Sequence, residues 1–351
     1  MDNKRLIERT IDPDSSILSA LKKMDGLGVK SLIVIDNDNL FTGILSIGDI
    51  QRAIINNKSL DSEVRTILRK NPRVAGKAQS LTEVKDLMLR YRMEFIPVIG
   101  DSGNILNVFF WEDVFLENEQ IPCSQFSLPV VIMAGGIGER LRPLTNVFPK
   151  PLMPHGKHTI IEEIMMRFSR HGCENFFITV NFKSDLVQYY LSQQNLGYNL
   201  NFIKENKPLG SGGSLSLVKG EIKSTFFISN CDILIDQDYS EILNYHIENK
   251  NIITIVAALK HYPIPYGVLE TGENGDLTGL QEKPEITFKV NSGMYIFEDK
   301  VLNEIPDDTF LPITEIINKV QGKGLKVGVF PVSEKSWKDI GTWDEYKNHL
   351  L

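Results

Sequence analysis

The feature that most constrains the fold of this chain is a short apolar strand that runs directly into a glycine-rich loop. The strand covers positions 130–133, and the loop after it holds three glycines, Gly135, Gly136 and Gly138. Glycine has no Cβ atom, so such a loop can wrap closely around phosphates and donate hydrogen bonds from its backbone N–H groups. Three cations follow: Arg140, Arg142 and Lys150. This combination predicts a loop that binds a triphosphate.

Two familiar phosphate-binding motifs are excluded by the residues present. A Walker loop ends in Gly-Lys followed by Ser or Thr, and these glycines are not followed by that tripeptide. The dinucleotide fingerprint needs a third glycine at position 141, where this chain has Leu141. The glycines alone are equally compatible with a turn beside solvated arginines, so the interpretation depends on the rest of the chain.

Beyond the loop, segments of strand type alternate with segments of helix type. We predict helices at 160–170, at 185–192 and after Gly213, and strands at 175–180, 200–203 and 225–229. Such alternation is typical of an α/β domain with a doubly wound, mostly parallel sheet, which binds ligands at the carboxyl ends of its strands. From position 252 onward the pattern is richer in strands, which predicts an appended antiparallel or mixed portion that forms a lid or wall over the site.

The N-terminal part of the chain contains a weak internal repeat. Each copy reads helix, strand, turn, strand, helix, with turns at 36–39 and 100–104. A repeat of about 60 residues predicts an α+β pair of similar modules. We therefore expect the pair of modules at 1–120, divided into about 1–60 and 61–120. A linker at 121–128 and the α/β domain at 129–351 follow it.

The glycine loop and the motifs after it resemble the signature of the sugar nucleotidyltransferases, the Rossmann-like enzymes that make nucleotide-sugars. The loop reads Ala-Gly-Gly-x-Gly-x-Arg-Leu-x-Pro-Leu-Thr from position 134, and Pro-Lys-Pro-Leu follows it. Later motifs of the family recur in order: Leu-Gly-Ser-Gly-Gly at 209–213, Asn-Cys-Asp at 230–232, Pro-Tyr-Gly at 265–267, Glu-Lys-Pro at 282–284, Asn-Ser-Gly at 291–293 and Trp-Lys-Asp-Ile-Gly-Thr at 337–342. The resemblance therefore covers most of residues 128–351.

This resemblance implies the reaction of a sugar-1-phosphate with an NTP to give an NDP-sugar and pyrophosphate. The implied nucleotide contacts are Ala134, Gly135, Gly136, Gly138, Glu205 and Gly210, and the implied sugar contacts are Gly267, Glu282, Lys283 and Asn291. In this interpretation Arg140 stabilises the departing pyrophosphate, Lys150 binds the α-phosphate, and Lys283 binds the phosphate of the sugar.

The same resemblance implies that Asp232 and Asp339 bind Mg²⁺. Two carboxylates with few other protein ligands suit this ion, which keeps waters and takes phosphate oxygens. A single aspartate at a strand end more often belongs to a turn or a cap. As an ordered pair within the family pattern, the two aspartates favour a metal site.

Glu205 is the candidate for recognition of the base. A carboxylate can accept hydrogen bonds from the adjacent N1–H and N2–H groups of guanine, whereas uracil and thymine offer one N–H donor and carbonyls that repel it. This favours GTP. The alternative is a solvated glutamate beside Asn206 and Lys207 that contacts no base.

The N-terminal repeat resembles a pair of CBS modules, which commonly bind adenine nucleotides. The first copy keeps Gly-Ile-Leu-Ser-Ile-Gly-Asp, and the family implies that its Ser46 and Asp49 contact the phosphate and ribose of an effector. The second copy keeps the aspartate as Asp113, but Phe110 replaces the hydroxyl residue. We expect at most one complete adenine-nucleotide site, or a pair that is purely structural.

Composition excludes several other functions. The net charge is −7 and no block of Lys or Arg occurs, which argues against a nucleic-acid partner. No segment approaches the roughly 18 apolar residues of a membrane helix, and the first residues lack the apolar core of a signal peptide. Three cysteines without close spacing predict reduced thiols. We therefore expect a cytoplasmic protein without a membrane partner, and the resemblance implies a homo-oligomer.

Several alternatives remain open at this level. The architecture resembles bacterial enzymes of surface glycan synthesis, among them guanylyltransferases that act on glucosamine-1-phosphate for legionaminic acid or on mannose-1-phosphate. Uridylyl or thymidylyl transfer within the same family is a further alternative. A non-catalytic nucleotide sensor is the alternative of another class. Transfer to a molybdenum cofactor does not explain the Glu-Lys-Pro and Asn-Ser-Gly motifs.

Overall fold

The structure of the chain, a computed structural model, describes residues 3–115 and 121–349 and divides into two compact units. Unit 1 is Met1–Pro122 and unit 2 is Cys123–Leu351. Residues 116–120 of the predicted CBS pair lie outside the described residues. The helices in the described ranges are all too short or too polar to cross a bilayer.

The predicted linker at 121–128 contains neither helix nor strand, but it is packed. Ile121 contacts the core of unit 1. Phe126 stacks on the rings of His171 and Phe227 in unit 2, with centroid distances of 5.0 and 5.5 Å. The segment therefore contributes to the cores of the units that it joins.

Unit 1 contains two copies of one small α+β arrangement. Its described helices are α1 (Asn3–Glu8), α2 (Ile17–Leu27), α3 (Ile47–Ile55), α4 (Leu81–Tyr91) and α5 (Trp111–Val114). Its described strands are β1 (Thr10–Ile11), β2 (Ser31–Ile35), β3 (Phe41–Ser46), β4 (Ala75–Gly76), β5 (Phe95–Ile99) and β6 (Ile105–Phe110). They form two sheets, β1-β2-β3 and β4-β5-β6, each with a parallel first pair and an antiparallel second pair.

The repeat extends to individual hydrogen bonds. A helix begins directly after the third strand of each half, and its first N–H group donates to the residue before the second strand. These bonds are Ile47 N to Lys30 O at 2.7 Å and Trp111 N to Glu94 O at 2.8 Å. The same local arrangement therefore occurs twice in unit 1, and it places Asp49 and Asp113 at equivalent positions of the two halves.

Unit 2 is an α/β domain around one large sheet. Its described strands are β7 (Val130–Met133), β8 (Pro154–His155), β9 (His158–Thr159), β10 (Asn175–Val180), β11 (Asn199–Lys204), β12 (Phe226–Asn230), β13 (Ile233–Ile235), β14 (Ile253–Pro263), β15 (Val268–Thr271), β16 (Leu277–Gln281), β17 (Glu285–Phe297), β18 (Val327–Val332) and β19 (Trp337–Asp339). Its described helices are α6 (Ile160–Ser169), α7 (Ser184–Gln193), α8 (Gly210–Gly213), α9 (Tyr239–Glu248), α10 (Ile313–Gly322) and α11 (Trp343–His349).

The large sheet has the order β11-β10-β7-β12-β17-β14-β18. β11, β10, β7 and β12 are parallel neighbours, and β17 is antiparallel to both β12 and β14. The sheet is therefore mostly parallel, as predicted. The strand-rich C-terminal part differs from the predicted appendage, because β14, β17 and β18 continue the same sheet. The hairpin of β15 and β16 forms a separate two-stranded sheet.

Apolar side chains from the strands of this sheet pack against the segments that alternate with the strands along the chain. Phe177, Phe226 and Phe297 are buried in one core cluster together with Leu215 and Ile316. Burying one side chain of this size contributes about 1.5–3 kcal/mol. This packing fixes the strand ends from which the site loops leave.

A buried histidine, His246, belongs to α9 and contacts Thr254 near the start of β14. His246 is 1% exposed, its Nδ1 lies 2.8 Å from Thr254 Oγ1, and its Nε2 lies 3.0 Å from Glu298 Oε1. Burial lowers the pKa of the imidazole from its ordinary value of 6.5, although Glu298 acts in the opposite direction. The neutral ring is therefore the form that the fold favours.

We predict that acidification destabilises the protein through His246. As the pH falls through 6.5, the unfolded chain protonates this imidazole before the folded chain does. The unfolded state then binds more protons, so the free energy of unfolding falls until the pH passes the folded pKa. Denaturant titrations at about pH 7.5 and about pH 5.5 measure this loss. His246→Gln should reduce the loss, and the exposed His158→Gln should not. Equal losses in wild type and His246→Gln would contradict the assignment.

Candidate active site

The glycine loop leaves the sheet beside a second strand end that carries a predicted site residue. β7 and β12 are parallel neighbours, and their last residues, Met133 and Asn230, are paired. The chain therefore enters the glycine loop after one strand and reaches Asp232 after the next. This is the carboxyl edge of the sheet, where open α/β sheets bind ligands.

Three predicted site residues converge on Gly341. Asp339 approaches Asp232 because β13 and β19 pair, with Ile233 opposite Asp339. A Cβ atom on Gly341 would meet three side-chain atoms: Asp339 Oδ1 at 2.6 Å, Asp232 Oδ2 at 2.9 Å and Arg140 Nη2 at 3.0 Å. The two carboxylates and the guanidinium therefore surround one point, and the structure brings together residues that are far apart in sequence.

Lys150 completes this charged cluster by forming an ion pair with Asp232. The two side chains are only 10% and 11% exposed. Lys150 belongs to a 3₁₀ turn, Lys150–Leu152, and Asp232 lies two residues after β12. Because a charge removed from water is tolerated only when it is paired, each group holds the other in place. We call Arg140, Lys150, Asp232 and Asp339 the charged cluster.

One part of the glycine loop packs against the protein, and another part is exposed to solvent. Ala134 N donates to Thr179 O at 3.0 Å, so the first loop residue still continues the sheet. Gly138 has φ +65°, and a Cβ atom there would lie 2.8 Å from Thr145 Cγ2. Gly136 is exposed, and none of the described atoms lies within 4 Å of the position of its Cβ. The backbone at Gly136 is therefore accessible to a ligand.

Glu205 lies directly behind this loop. Its carboxylate occupies the space that a Cβ atom on Gly135 would need. Its Oε2 accepts a hydrogen bond from Leu209 N at 3.1 Å, and its own carbonyl accepts one from Asn181 Nδ2 at 3.0 Å. Burial raises the pKa of this carboxyl, which the hydrogen bond from Leu209 partly opposes. Glu205 is therefore a buried group beside the loop, and the alternative of a solvated glutamate is wrong.

In the second glycine-rich loop, at 209–213, the glycines pack closely against the segment 309–313. Gly210, with φ +73°, begins the short helix α8, and a Cβ atom there would lie 3.0 Å from Leu311 O. Gly212 N and Gly213 N both donate to Leu311 O, at 2.8 and 2.9 Å. A Cβ atom on Gly213 would overlap Thr309 O. The predicted nucleotide contact of Gly210 remains a prediction, because the segment 309–313 already explains these glycines.

The Asn-Ser-Gly motif forms a bulge in β17. Residues 292–294 oppose the single residue Val256 of β14. Gly293 has φ +86°, and a Cβ atom there would lie 2.5 Å from Asn230 Nδ2 at the end of β12. Asn291 Oδ1 accepts a hydrogen bond from Gly293 N at 3.1 Å. The bulge therefore holds the exposed Asn291 near the edge from which Asp232 leaves the sheet.

The remaining predicted sugar contacts lie together at the other end of this strand. A Cβ atom on Gly267 would lie 2.9 Å from Glu282 Oε2, and Ile264 N donates to Pro284 O at 2.9 Å. Lys283 has a backbone φ of +45°, which is uncommon for a residue other than glycine. Glu282 and Lys283 are exposed. Among the described residues, no hydrogen bond or ion pair joins their side chains to the charged cluster.

Two residues that the sequence did not single out hold the segment between the glycine loop and Lys150. Lys183 Nζ donates to Asn146 O and Val147 O, at 2.6 Å in each case. Trp343 Nε1 donates to Arg142 O at 2.7 Å across 201 positions of sequence. All three bonds end on backbone carbonyls, which carry no side-chain pattern, so no sequence signal marks them.

The charged cluster fits a hard divalent cation such as Mg²⁺. Asp232 and Asp339 supply carboxylate oxygens, and Mg²⁺ commonly takes one or two carboxylates and completes its shell with phosphate and water. The described residues contain no group of three or more His, Cys, Asp or Glu that could hold a metal by themselves. The donor set therefore suits an ion shared with a phosphorylated substrate.

In unit 1, the predicted effector residues are engaged with their own protein. Ser46 and Asp49 form a capping box at α3, with Ser46 N donating to Asp49 Oδ2 at 2.9 Å. Asp49 is 5% exposed and also pairs with Arg52 and Arg69. Burial would raise the pKa of this carboxyl, but the hydrogen bonds from Ser46 and Arg69 lower it overall. Asp113 pairs with Arg5 at 2.9 Å. Effector contacts at these residues remain predictions.

Unit 2 is a Rossmann-like α/β domain, and a repeated α+β unit precedes it in the chain. Residues 129–350, more than half of the chain, match the sequence model of the family described as nucleotidyl transferase. Residues 3–56 match the CBS domain. The chain belongs to the nucleotidyl transferase family and carries an N-terminal CBS domain.

Mannose-1-phosphate guanylyltransferases are among the proteins to which this chain is similar. The catalytic subunit beta from Drosophila melanogaster is 32% identical over 182 residues, which cover 50% of this chain and 49% of that protein. The enzyme from Mycobacterium tuberculosis is 28% identical over 222 residues, 62% of each chain. The chain therefore spans about half to three fifths of the length of these curated relatives.

Solved structures support the fold. HddC from Yersinia pseudotuberculosis superposes with a TM-score of 0.51 at 24% identity, and the match covers 64% of this chain and 98% of HddC. HddC complexed with GMP-PN gives the same TM-score at 22% identity. At these identities the likeness concerns the architecture of unit 2.

We predict that Gly341→Ala inactivates the site. The added methyl group would displace Asp339, Asp232 and Arg140, which lie within 3.0 Å of it. The expected loss of nucleotidyl transfer is about 10²-fold, since a misplacement of about 1 Å has this effect. Gly322→Ala is the matched control, because its Cβ would meet none of the described atoms within 4 Å. Full activity of Gly341→Ala in a pyrophosphate-release assay would contradict the convergence.

Proposed function

We propose that this chain transfers a nucleoside monophosphate from an NTP to a sugar-1-phosphate and releases pyrophosphate. The observation that carries this proposal is the convergence of Arg140, Asp232 and Asp339 on Gly341, with Lys150 paired to Asp232. Membership of the nucleotidyl transferase family supports the same reaction class. So does the similarity to two mannose-1-phosphate guanylyltransferases.

The proposed chemistry needs charge and positioning more than a protein nucleophile. A phosphate oxygen of the sugar-1-phosphate attacks the α-phosphorus of the NTP in line, and the bond to pyrophosphate breaks. Both reactants are polyanions, so cations and backbone donors must hold them together and stabilise the charge that spreads over the phosphates. The open backbone at Gly136 and the cations Arg140 and Lys150 supply such groups on one side of the sheet edge.

Each charged residue has a proposed task. Arg140 stabilises the departing pyrophosphate, and Lys150 binds the α-phosphate of the nucleotide. Lys283 binds the phosphate of the sugar, and Glu282, Gly267 and Asn291 bind its hydroxyl groups. The exposure of Glu282 and Lys283 supports this, because neither side chain is occupied by a described hydrogen bond or ion pair. Mg²⁺ held by Asp232 and Asp339 would neutralise charge on the nucleotide phosphates.

We propose GTP as the nucleotide. The buried carboxylate of Glu205 beside Gly135 can accept two hydrogen bonds from the N1–H and N2–H edge of guanine. The named relatives, which are guanylyltransferases, favour the same base. For the sugar we propose a hexose-1-phosphate, either glucosamine-1-phosphate or mannose-1-phosphate, whose activated form serves surface glycan synthesis such as that of legionaminic acid. The names of the relatives favour mannose-1-phosphate.

The reaction is tested with a panel of hexose-1-phosphates and NTPs in the presence of Mg²⁺, with pyrophosphate release as the measurement. We predict that the wild type turns over at least one pair and that Asp232→Asn lowers kcat by about 10²–10³-fold, because it removes a charge with little change in volume. Asp276→Asn, at an exposed position, is the control and should be unaffected.

The same experiment separates the enzyme from the nucleotide sensor. If the wild type binds nucleotide but releases no pyrophosphate with any pair of substrates, the result would favour a non-catalytic nucleotide sensor. If Asp232→Asn is nearly as active as the wild type, Asp232 does not take part in the reaction. Thermal unfolding of the variant is measured in parallel, since Asp232 also neutralises the buried Lys150.

For the base, we predict that Glu205→Gln selectively reduces use of GTP. A neutral amide can donate as well as accept, so it no longer matches two adjacent N–H donors, and UTP or dTTP gains in relative terms. The measurement is kcat/KM for GTP, UTP and dTTP with one sugar phosphate. Glu221→Gln, on an exposed glutamate, is the control. An unchanged order of preference among the NTPs would exclude Glu205 from base recognition.

A further inference from the structure

The stretch of chain that leads into Lys150 is exposed to solvent. Asn146, Val147 and Phe148 are consecutive exposed residues, and the two apolar ones are 62% and 52% exposed. Apolar side chains that remain in water gain no free energy from burial, so they do little to fix the place of the chain. Contacts to the main chain must therefore keep this stretch in one position.

Lys183 supplies such contacts from the connection between β10 and α7. Its Nζ donates to Asn146 O and to Val147 O, at 2.6 Å in each case. These carbonyls lie at the end of the 3₁₀ turn Leu144–Asn146, and the last carbonyls of a helical turn have no partner within it. A cation is favourable at such an end. Lys183 therefore caps, from outside, the turn that runs on to Lys150.

The loop that carries Lys183 also contacts the residue proposed to read the base. The backbone of Lys183 is in the left-handed region, with φ +51°, which residues other than glycine adopt rarely and more often at functional sites. In the same loop, Asn181 Nδ2 donates to Glu205 O at 3.0 Å. One short loop thus holds the turn before Lys150 on one side and the main chain of Glu205 on the other.

Lys150 connects this turn to the sheet. Its side chain is only 10% exposed, and its ammonium pairs with Asp232. One end of Lys150 is therefore fixed by the carboxylate, and the other end by the backbone that follows the turn. A misplacement of about 1 Å in such a group can lower a rate by about 10²-fold. A contact that fixes the turn thus bears directly on the place of the Lys150 ammonium.

We propose that Lys183 is a positioning residue of the transfer site, which fixes the turn at 144–147 and through it the ammonium of Lys150. The inference rests on the proposed function, in which Lys150 binds the α-phosphate of the nucleotide. Lys183 acts through the main chain, because both of its acceptors are carbonyls. Its loss should therefore lower kcat, and it should leave the contacts of the sugar phosphate unchanged.

The test compares Lys183→Met with Lys326→Met in the intact chain. Lys326 is the matched control, because its Nζ also donates to a carbonyl, Asn249 O at 2.7 Å, but before β18, at the sheet edge opposite the site. We expect Lys183→Met to lower kcat about tenfold to a hundredfold with KM for the sugar phosphate within about twofold of wild type. Lys326→Met should match the wild type. Lys183→Arg should restore most of kcat, since a guanidinium can donate to both carbonyls.

Hydrogen exchange of the same variants without substrate measures the turn itself. Val147 N and Phe148 N both donate to Leu144 O at 3.0 Å. Their exchange should be about tenfold faster in Lys183→Met than in the wild type, because the turn opens more often when its last carbonyls lose their cap. Lys326→Met should leave their exchange unchanged.

Two outcomes would overturn the proposal. One is a folded Lys183→Met chain with the kcat of the wild type, and the other is unchanged exchange of the turn in that variant. If Lys183→Met fails to fold, Lys183→Gln replaces it under the same two criteria, because a neutral amide removes the charge and keeps a polar side chain. If the wild type is inactive with every substrate and exchange still responds as expected, the result supports the hold of Lys183 on the turn and overturns only the proposed function.

Discussion

The buried ion pair between Lys150 and Asp232 is the interaction on which the site depends. It joins the 3₁₀ turn after the glycine loop to the end of the central strand β12, and both side chains are nearly removed from water. Such a pair contributes little net stability, but the loss of one partner leaves an uncompensated buried charge at a cost of about 3–5 kcal/mol. The loop that carries Arg140 and Lys150 is therefore tied to the sheet by the same charges that the proposed chemistry needs.

This arrangement explains why small residues surround the cluster. Gly341 and Gly138 both lie where a Cβ atom would displace a neighbouring group, at Asp339 in one case and Thr145 in the other. Close approach of backbone to charged groups keeps the carboxylates and the guanidinium near one point without intervening side chains. The rigid sheet provides the strand ends, and hydrogen bonds from Lys183 and Trp343 to backbone carbonyls fix the segment between them. The position of these charges thus depends on main-chain contacts as well as on the ion pair between Lys150 and Asp232.

Much of unit 2 could be predicted because its signals are local. The strand before the glycine loop and the strand before Asp232 follow from short apolar runs, and parallel strands place their carboxyl ends together. The role of Gly341 could not be predicted, because its neighbours are defined by the pairing of β13 with β19. The glycines of α8 were predicted for a ligand, yet they also fit against residues 309–313, about 100 positions away in sequence. Pattern reasoning identifies residue types, and tertiary packing decides what those residues touch.

Unit 1 shows the same separation between a motif and its surroundings. Asp49 and Asp113 occupy equivalent positions after the third strand of each half, so the repeat alone assigns them the same role. Their environments differ, because Asp49 is buried beneath a serine cap and two arginines while Asp113 shares one guanidinium with Glu112 and an aromatic ring. A carboxylate that is already neutralised offers a ligand only what remains after its own partners are displaced. The repeat therefore assigns the two aspartates equivalent positions, and the packing around each aspartate decides which partners it holds.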